Sequence, residues 1–568
     1  MSQSLLAFDT DHIKGYVFGT SKLKEIRGAS SRLDYLNRVL TREKAESKAF
    51  GATTIYAHGG SALFLIDSDE SEKQAEALGK AVQELYRKET GEGASITYAI
   101  QSIPYDGLED IMTVEELDGH VTMQEVLKLL HLRLRLAKDS LQMSRSQQYN
   151  AQKDESEYVI AAPSHALLSH CKSCGINYAE KIRPELDDPG DQEGPYCPVC
   201  ISKREEDKLV RDRLRKAREA FDSDRLNKAR EELTSDRTLW GRILRTLYGP
   251  ALTSLSSIPQ RPEDFDAIRD PSSKKDYLGL IYADANGMGK AMEDKKNLKE
   301  VEEFAKKVDK AVFEAMGTAI KEHLSLQGEI FPFDILLVGG DDIVIVAPAQ
   351  KALQIAHMLT KSFHDLMDDY TLSAGVVLAP VKYPFNLQYQ LVDDTLKAAK
   401  TVGSENNASG SSSQEQERIN FVVVTGNTSL SYSKVYAAMT NKKKEQEKFY
   451  ATMRPYTMVE LGWLLDQLRT GNQKRLGRTK LHQLREAILK LNRTTTILES
   501  LMLLSNWKEP ERDFIKEMVK KFDARTPQQQ RQETLFPWYL DGTASTINTR
   551  MYRTPLLDFV ELHDFVSS

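Results

Sequence analysis

Cysteine is scarce in this chain: 4 occur among 568 residues, and all 4 fall between Cys171 and Cys200. With no spare thiol, a disulfide-built scaffold is the weaker reading of them. Long apolar runs are also missing. None approaches the ~20 residues needed to cross a bilayer, so no membrane partner is expected. The opening residues, from Met1 to Phe18, have no basic stretch ahead of an apolar core and read as a strand rather than a signal peptide. Cytoplasm is the expected location. Positive charge is not in excess either. A net charge of -6 argues against non-specific nucleic-acid binding by the whole surface, so any such contact must come from local basic tracts. What remains is 28% charged and 40% hydrophobic, the balance of a globular protein. The length is too great for one core and predicts three to five domains.

The most informative stretch runs from Ile335 to Val346, where two apolar runs flank Gly339-Gly340-Asp341-Asp342. It reads as a β-hairpin whose turn carries two adjacent carboxylates. Charges at the mouth of an apolar hairpin need water or a cation. Mg²⁺ or Mn²⁺, bound through carboxylates together with substrate phosphates, answers that need. A solvated hairpin tip is the alternative for an isolated motif of this kind.

Upstream, an apolar strand ends at Asp284, a turn with Ala285, Asn286, Gly287 and Gly289 follows, and a helix is expected from about Val301 to His323. The order strand, helix, strand, strand would bring Asp284 within a few ångströms of Asp341 and Asp342. Three carboxylates on one rim repel unless cations intervene, and two divalent ions ~3.5–4 Å apart would relieve them. The small residues leave backbone groups open to a metal or a triphosphate. An ordinary strand-to-helix turn capped by Asp284 is the alternative. Downstream come the small-residue strand around Ser373 and a helix expected to end near Lys400. Lys400 could serve a polyphosphate as a point charge or simply favour a helix C-terminus.

The segment from Asp284 to Lys290, the Gly-Gly-Asp-Asp hairpin, the strand Ser373–Ala379 with Lys382-Tyr383-Pro384, and the helix ending in Ala398-Ala399-Lys400 together resemble a known family. They are similar to the catalytic palm domain of the large subunit of type III CRISPR effector complexes. That palm is shared with GGDEF cyclases, adenylate cyclases and polymerases. The resemblance implies a metal-dependent nucleotidyltransferase that makes cyclic oligoadenylates from ATP when a guide RNA captures target RNA. It implies other CRISPR effector subunits as partners in a multi-subunit complex. It makes Asp284, Asp341 and Asp342 the ligands of two Mg²⁺ or Mn²⁺ ions. Gly339 and Gly340 would let the nucleotide approach, beside Ala285, Asn286, Gly287 and Ser373, and Lys400 would touch the triphosphate. Many members begin with an HD nuclease domain. This chain begins at a palm-like strand, so DNase activity is expected to be absent or supplied by another polypeptide, and His364-Asp365 and His563-Asp564 are given no catalytic role.

The hairpin has an earlier echo. A strand passes through Asp9, and Gly59-Gly60-Ser61-Ala62 follows between apolar runs. Asp9 precedes Gly59 by 50 positions and Asp284 precedes Gly339 by 55; Gly60 precedes Ser95 by 35 and Gly340 precedes Ser373 by 33. The matched order predicts a first palm in which Ser61 and Ala62 replace both aspartates. Such a copy cannot build the same metal site and is expected to bind nucleotide through Gly59, Gly60 and Ser61, or to act as a scaffold.

Cys171 and Cys174 are separated from Cys197 and Cys200 by 22 residues, a spacing that fits Zn²⁺ held by four thiolates. The polar insert between them suits a zinc ribbon, and four thiolates leave no open position for catalysis. Residues 201–234 are dense in charge of both signs and read as an exposed helix. Residues 403–417 read as a flexible loop. From about 430 the pattern is helical. A basic tract there (Lys474, Arg475, Arg478, Lys480, Arg485, Arg493) would be a solubilising surface or a contact for RNA or a subunit. The aromatic tail from Phe536 would dock on the body. The expected fold is α+β: a first ferredoxin-like palm over 1–150, a zinc-ribbon region over 151–268, the catalytic palm over 269–428 and a helical domain over 429–568. The rival readings are a catalytically silent scaffold subunit of a guide-RNA ribonucleoprotein and a stand-alone GGDEF-like cyclase.

Overall fold

A computed structural model describes residues 2–105, 110–117, 121–151, 169–183, 194–221, 238–249, 259–273, 275–407, 417–426, 431–441, 447–474, 476–523, 536–541 and 550–565. The zinc-ribbon insert over 184–193, residues 222–234 of the charged run, loop residues 408–416 and Arg475 lie outside the described residues. Among the described residues no helix is long and apolar enough to cross a membrane.

The N-terminal elements are β1 (Ser2–Asp11), α1 (Ile13–Phe18), α2 (Leu23–Tyr35), a π-helical turn (Leu36–Thr41), α3 (Arg42–Glu46), β2 (Thr53–His58), β3 (Ser61–Ser68), α4 (Ser71–Glu89), β4 (Ser95–Ile103) and α5 (Met123–Ala151). The strands pair antiparallel in the order β2-β3-β1-β4. Leu5, Leu6, Ala7 and Phe8 are all buried, which is why β1 reads as a continuous apolar run rather than an alternating one. Leu5 and Ala7 join Leu63, Leu65 and Ala99 beneath Val126, Leu127, Leu130 and Leu134 of α5. On α4, Ala75, Leu78, Val82 and Tyr86 recur at helical spacing and are buried.

The next elements are β5 (Lys181–Arg183), β6 (Gly194–Tyr196), α6 (Pro198–Phe221) and α7 (Leu239–Tyr248). They lead to β7 (Tyr277–Ala285), α8 (Met288–Glu293), α9 (Leu298–His323), β8 (Asp334–Gly339), β9 (Asp342–Pro348), α10 (Ala349–Met367), β10 (Leu372–Pro380), α11 (Phe385–Asn407) and β11 (Ile419–Val423). The second sheet has the order β11-β10-β7-β9-β8. Read from β8 to β10 it repeats the plan of the first sheet, with β11 added parallel to β10. The chain divides into two compact units, one of residues 1–267, 287–318 and 326–345, the other of residues 268–286, 319–325 and 346–568.

Three sequence expectations change. The start of the charged run is not a solvated face: Lys203, Arg204, Glu206 and Asp207 are all buried. They meet the equally charged α2, where Arg204 Nε donates to Glu25 at 2.6 Å and Arg32 pairs with Glu206 at 3.2 Å. At Gly28 a side chain would collide with the Lys203 carbonyl, so only glycine lets α2 and α6 approach this closely. Helix α11 continues through 403–407, where a loop was expected. The C-terminal part is helical over Met458–Gln473, Arg478–Ile488, Arg493–Ser505 and Glu509–Asp523, but it also holds a four-stranded sheet that the pattern did not reveal. Its strands are only two to four residues long, too short for a periodicity. Trp538 and Tyr552 of the tail are buried in it, so the tail does pack on this unit.

Candidate functional site

Asp284 lies one residue from the end of β7 and is half-buried, with its side chain 27% exposed. Lys400 Nζ donates to Asp284 Oδ2 and also to the Ala285 carbonyl at 3.0 Å. Helix α11 runs on to Asn407, so Lys400 sits well inside it. The helix-end explanation for this lysine therefore falls, and its partner is the carboxylate. Asp284 does not cap the next helix either, since Gly287, at φ 73°, opens α8.

Asn286 and Ser373 have a different place from the one expected of nucleotide contacts. Both are buried. The Asn286 amide donates to Thr371 Oγ1 at 2.8 Å and to Ser373 Oγ at 3.0 Å, and the Asn286 backbone N–H donates to the Thr371 carbonyl. These bonds tie the end of β7 to β10, which hold Asp284 opposite Ser373. Ala285 is buried, and what it presents is the carbonyl that meets Lys400.

Gly339 ends β8, Gly340 and Asp341 make the turn, and Asp342 begins β9. Gly340 has φ 71° and Asp341 has no positive φ, the pattern of a II′ turn. Asp341 and Asp342 are half-buried, and β9 is the neighbour of β7 in the sheet.

The first sheet carries a counterpart of each feature. His58 pairs with Ser61 across a two-residue turn of Gly59 and Gly60, both at positive φ (70° and 84°), the I′ pattern. By turn position, Gly60 stands where Asp341 does and Ser61 where Asp342 does. Matching one Gly-Gly pair to the other was therefore out of step by one residue. Asp9 faces Thr97, as Asp284 faces Ser373, so Thr97 and not Ser95 is the counterpart of Ser373. Lys138 of α5 repeats Lys400: its Nζ lies 2.5 Å from Asp9 Oδ2 and 3.4 Å from the Thr10 carbonyl. Sequence reasoning missed Lys138, because no local motif surrounds it. The two turns touch. A side chain at Gly59 would strike the backbone of Gly340 and lie 3.1 Å from the Gly339 carbonyl carbon.

The four cysteine sulfurs all lie within 4.8 Å of one another, with Cys174 and Cys197 at 3.9 Å. Tetrahedral Zn–S bonds of 2.3 Å place sulfurs about 3.8 Å apart, so this donor set fits zinc. A hydrogen bond from Cys200 leads the groups that bring the Cys197 thiol down to about 5, so it reaches the thiolate form that a metal takes. Next to the cluster, Ser173 Oγ donates to Glu25 of α2.

Several expected surface groups are already engaged. Arg478 pairs with Asp564 at 2.9 Å, Lys480 with Glu511 at 2.5 Å and Arg493 with Glu447 at 3.1 Å. Three members of the tract thus already have an acidic partner within their own unit. Asp564 also pairs with Lys275 at 2.9 Å.

Residues 277–409 match the family model described as Cas10/Cmr2, second palm domain. No curated protein matches the chain. Among solved structures it is similar to Csm1 in T. onnurineus, with 13% identity over 100% of this chain and 70% of that one and a TM-score of 0.55. It is also similar to a Csm1–Csm4 cassette in complex with cA3, with 13% identity, 100% and 69% coverage and a TM-score of 0.51. A cassette in complex with pppApA gives 15% identity, 100% and 70% coverage and a TM-score of 0.50. The chain spans between 54% and 70% of the chains it matches. At such identities the structural likeness is one of fold. Residues 277–409 are thus similar to the second palm domain of Cas10/Cmr2, and the fold is like that of Csm1.

Proposed function

We propose that the protein is the nucleotidyltransferase of a type III CRISPR effector complex and makes cyclic oligoadenylates from ATP when guide RNA captures target RNA. Structures of the same fold are described with pppApA and cA3, and as a cassette with Csm4, which supports both the chemistry and a multi-subunit setting. The observation that carries the reading is the pair Asp284–Lys400 in a matched palm domain: a half-buried carboxylate met by the ammonium of Lys400.

Asp284, Asp341 and Asp342 are the residues we assign to two Mg²⁺ or Mn²⁺ ions. When bound, such ions would make the attacking 3′-hydroxyl more acidic and stabilise charge on the α-phosphate and the departing pyrophosphate. Lys400, released from Asp284, would turn to the triphosphate as a point charge. The glycines of the turn keep side chains away from the nucleotide, and the Asn286–Ser373 bonds hold Asp284 in place. The first sheet is read as an inactive palm, with Gly59, Gly60 and Ser61 presenting backbone to a nucleotide and no metal ligands. The four cysteines are assigned to structural Zn²⁺. The divisions 1–150, 151–268, 269–428 and 429–568 are the domains we propose.

The test is incubation with labelled nucleotides and Mg²⁺, with and without guide and target RNA, and identification of products by mass spectrometry. Ring-closed adenylates that require Asp341 and Asp342 are expected. Products unchanged in the Asp341→Ala/Asp342→Ala variant would overturn the assignment, and a cyclic dinucleotide made without RNA would favour a stand-alone cyclase.

A further inference from the structure

The two sheets treat the same backbone position with opposite chemistry. In the second, Asn286 is a donor to the hydroxyls of Thr371 and Ser373. In the first, the corresponding residue is Asp11, which accepts from Ser95 Oγ at 2.9 Å and from Thr97 Oγ1 at 2.9 Å. The frame is conserved, but the hydroxyl protons point the other way, and an amide has become a carboxylate. Asp11 Oδ1 lies 3.7 Å from Lys138 Nζ. Lys138 therefore stands beside two carboxylates, Asp9 and Asp11, whereas the carboxylate that Lys400 meets is Asp284.

The remaining acid positions differ in the same sense. Ser61 lies directly across from Asp9, and Gly60 holds the turn position that Asp341 holds in the second sheet. The first sheet thus sets two carboxylates against one ammonium. The ammonium of Lys138 already neutralises part of the charge of these two half-buried carboxylates, and a divalent ion would have to displace the lysine to enter.

We propose that Lys138 is the built-in cation of the first sheet, holding Asp9 and Asp11 in place without metal, so that this half of the molecule does not take up the divalent ions its partner site requires. The proposal rests on the functional reading only in taking the second sheet as the metal-holding one.

The experiment is Mn²⁺ titration of the zinc-loaded full chain without nucleotide, followed by electron paramagnetic resonance and by thermal melting. The Asp341→Ala/Asp342→Ala variant serves as background. Adding Lys138→Met is expected to lower the melting temperature and to create one new Mn²⁺ site that recovers it. Lys138→Arg, which keeps the charge, is expected to match the background. Lys138→Met/Asp9→Asn, with the surplus charge reduced, is expected to lose the new site. If Lys138→Met binds no more Mn²⁺ than the background, or if Lys138→Arg behaves like Lys138→Met, the proposal is overturned. If the background itself binds as much Mn²⁺ as the wild type, the reading of Asp341 and Asp342 fails instead.

Discussion

Gly59 and Gly340, the first residues of two separate β-turns, pack backbone against backbone, so closely that a side chain on Gly59 would strike the backbone of Gly340. Both sit at positive φ, 70° and 71°. The turn of Gly59 and Gly60 thereby braces the turn that carries Asp341.

Gly59→Ala is expected to reduce nucleotidyl transfer although it removes no chemical group. The methyl would strike Gly340 and force the Asp341 turn to shift. Gly51→Ala is the control, since Gly51 has φ 56° but nothing within 4 Å of where its side chain would go. Each substitution should cost about 1 kcal/mol from the positive φ. Only Gly59→Ala should also lower turnover, by about tenfold or more. Equal turnover in the two variants would mean that the contact is incidental.

Asp334 opens β8, five residues before the strand ends at Gly339, and it is fully buried. Arg27 of α2 donates to one of its oxygens and Arg261 to the other, at 2.7 Å. The same α2 carries Glu25, which receives Ser173 beside the cysteine cluster and Arg204 of α6. Removing one partner of a buried ion pair costs about 3–5 kcal/mol, and Arg261 should keep Arg27→Met at the lower end. A double-mutant cycle of Arg27→Met and Asp334→Asn is expected to give a coupling above about 1 kcal/mol in chemical denaturation. A coupling near zero would mean that Arg261 alone anchors the strand.

Much of this site was legible because its parts are local. The strand through Asp284, the Gly-Gly turns and the cysteine pairs each announce themselves over a few residues, and the repeat follows from their spacing. The roles of Lys138 and of Asp11 were not legible, because each is defined by a partner across the sheet or on a distant helix. The turn register slipped by one because two Gly-Gly pairs look alike in sequence, while one forms the turn outright and the other straddles its start. Burial of Lys203, Arg204, Glu206 and Asp207 was hidden for a similar reason. A mixed-charge helix reads as solvated unless its oppositely charged partner, here α2, is already known to lie against it.

His58 immediately precedes Gly59, and its environment gives the fold a pH dependence. Burial is the main cause that takes its imidazole down to about 4, with Arg38 and Arg242 adding to the effect and Asp309 and Asp34 opposing it. Its Nε2 is buried without a hydrogen-bond partner among the described residues. The folded state therefore holds His58 neutral, while the unfolded chain protonates it near the ordinary 6.5. Below that value the unfolded state binds more protons, so the stability is complete above about pH 6.5 and drains away as pH falls toward 4. The share due to His58 is about 2 kcal/mol at pH 5. Burial shifts His131, His323 and His357 in the same direction, so the wild-type slope is the sum of several groups. His58→Asn is expected to lose less melting temperature than the wild type between pH 7 and pH 5, while the two differ little in slope above pH 7. Parallel curves across the whole range would show that His58 titrates normally, and that the strand entering the Gly59 turn is open to protons.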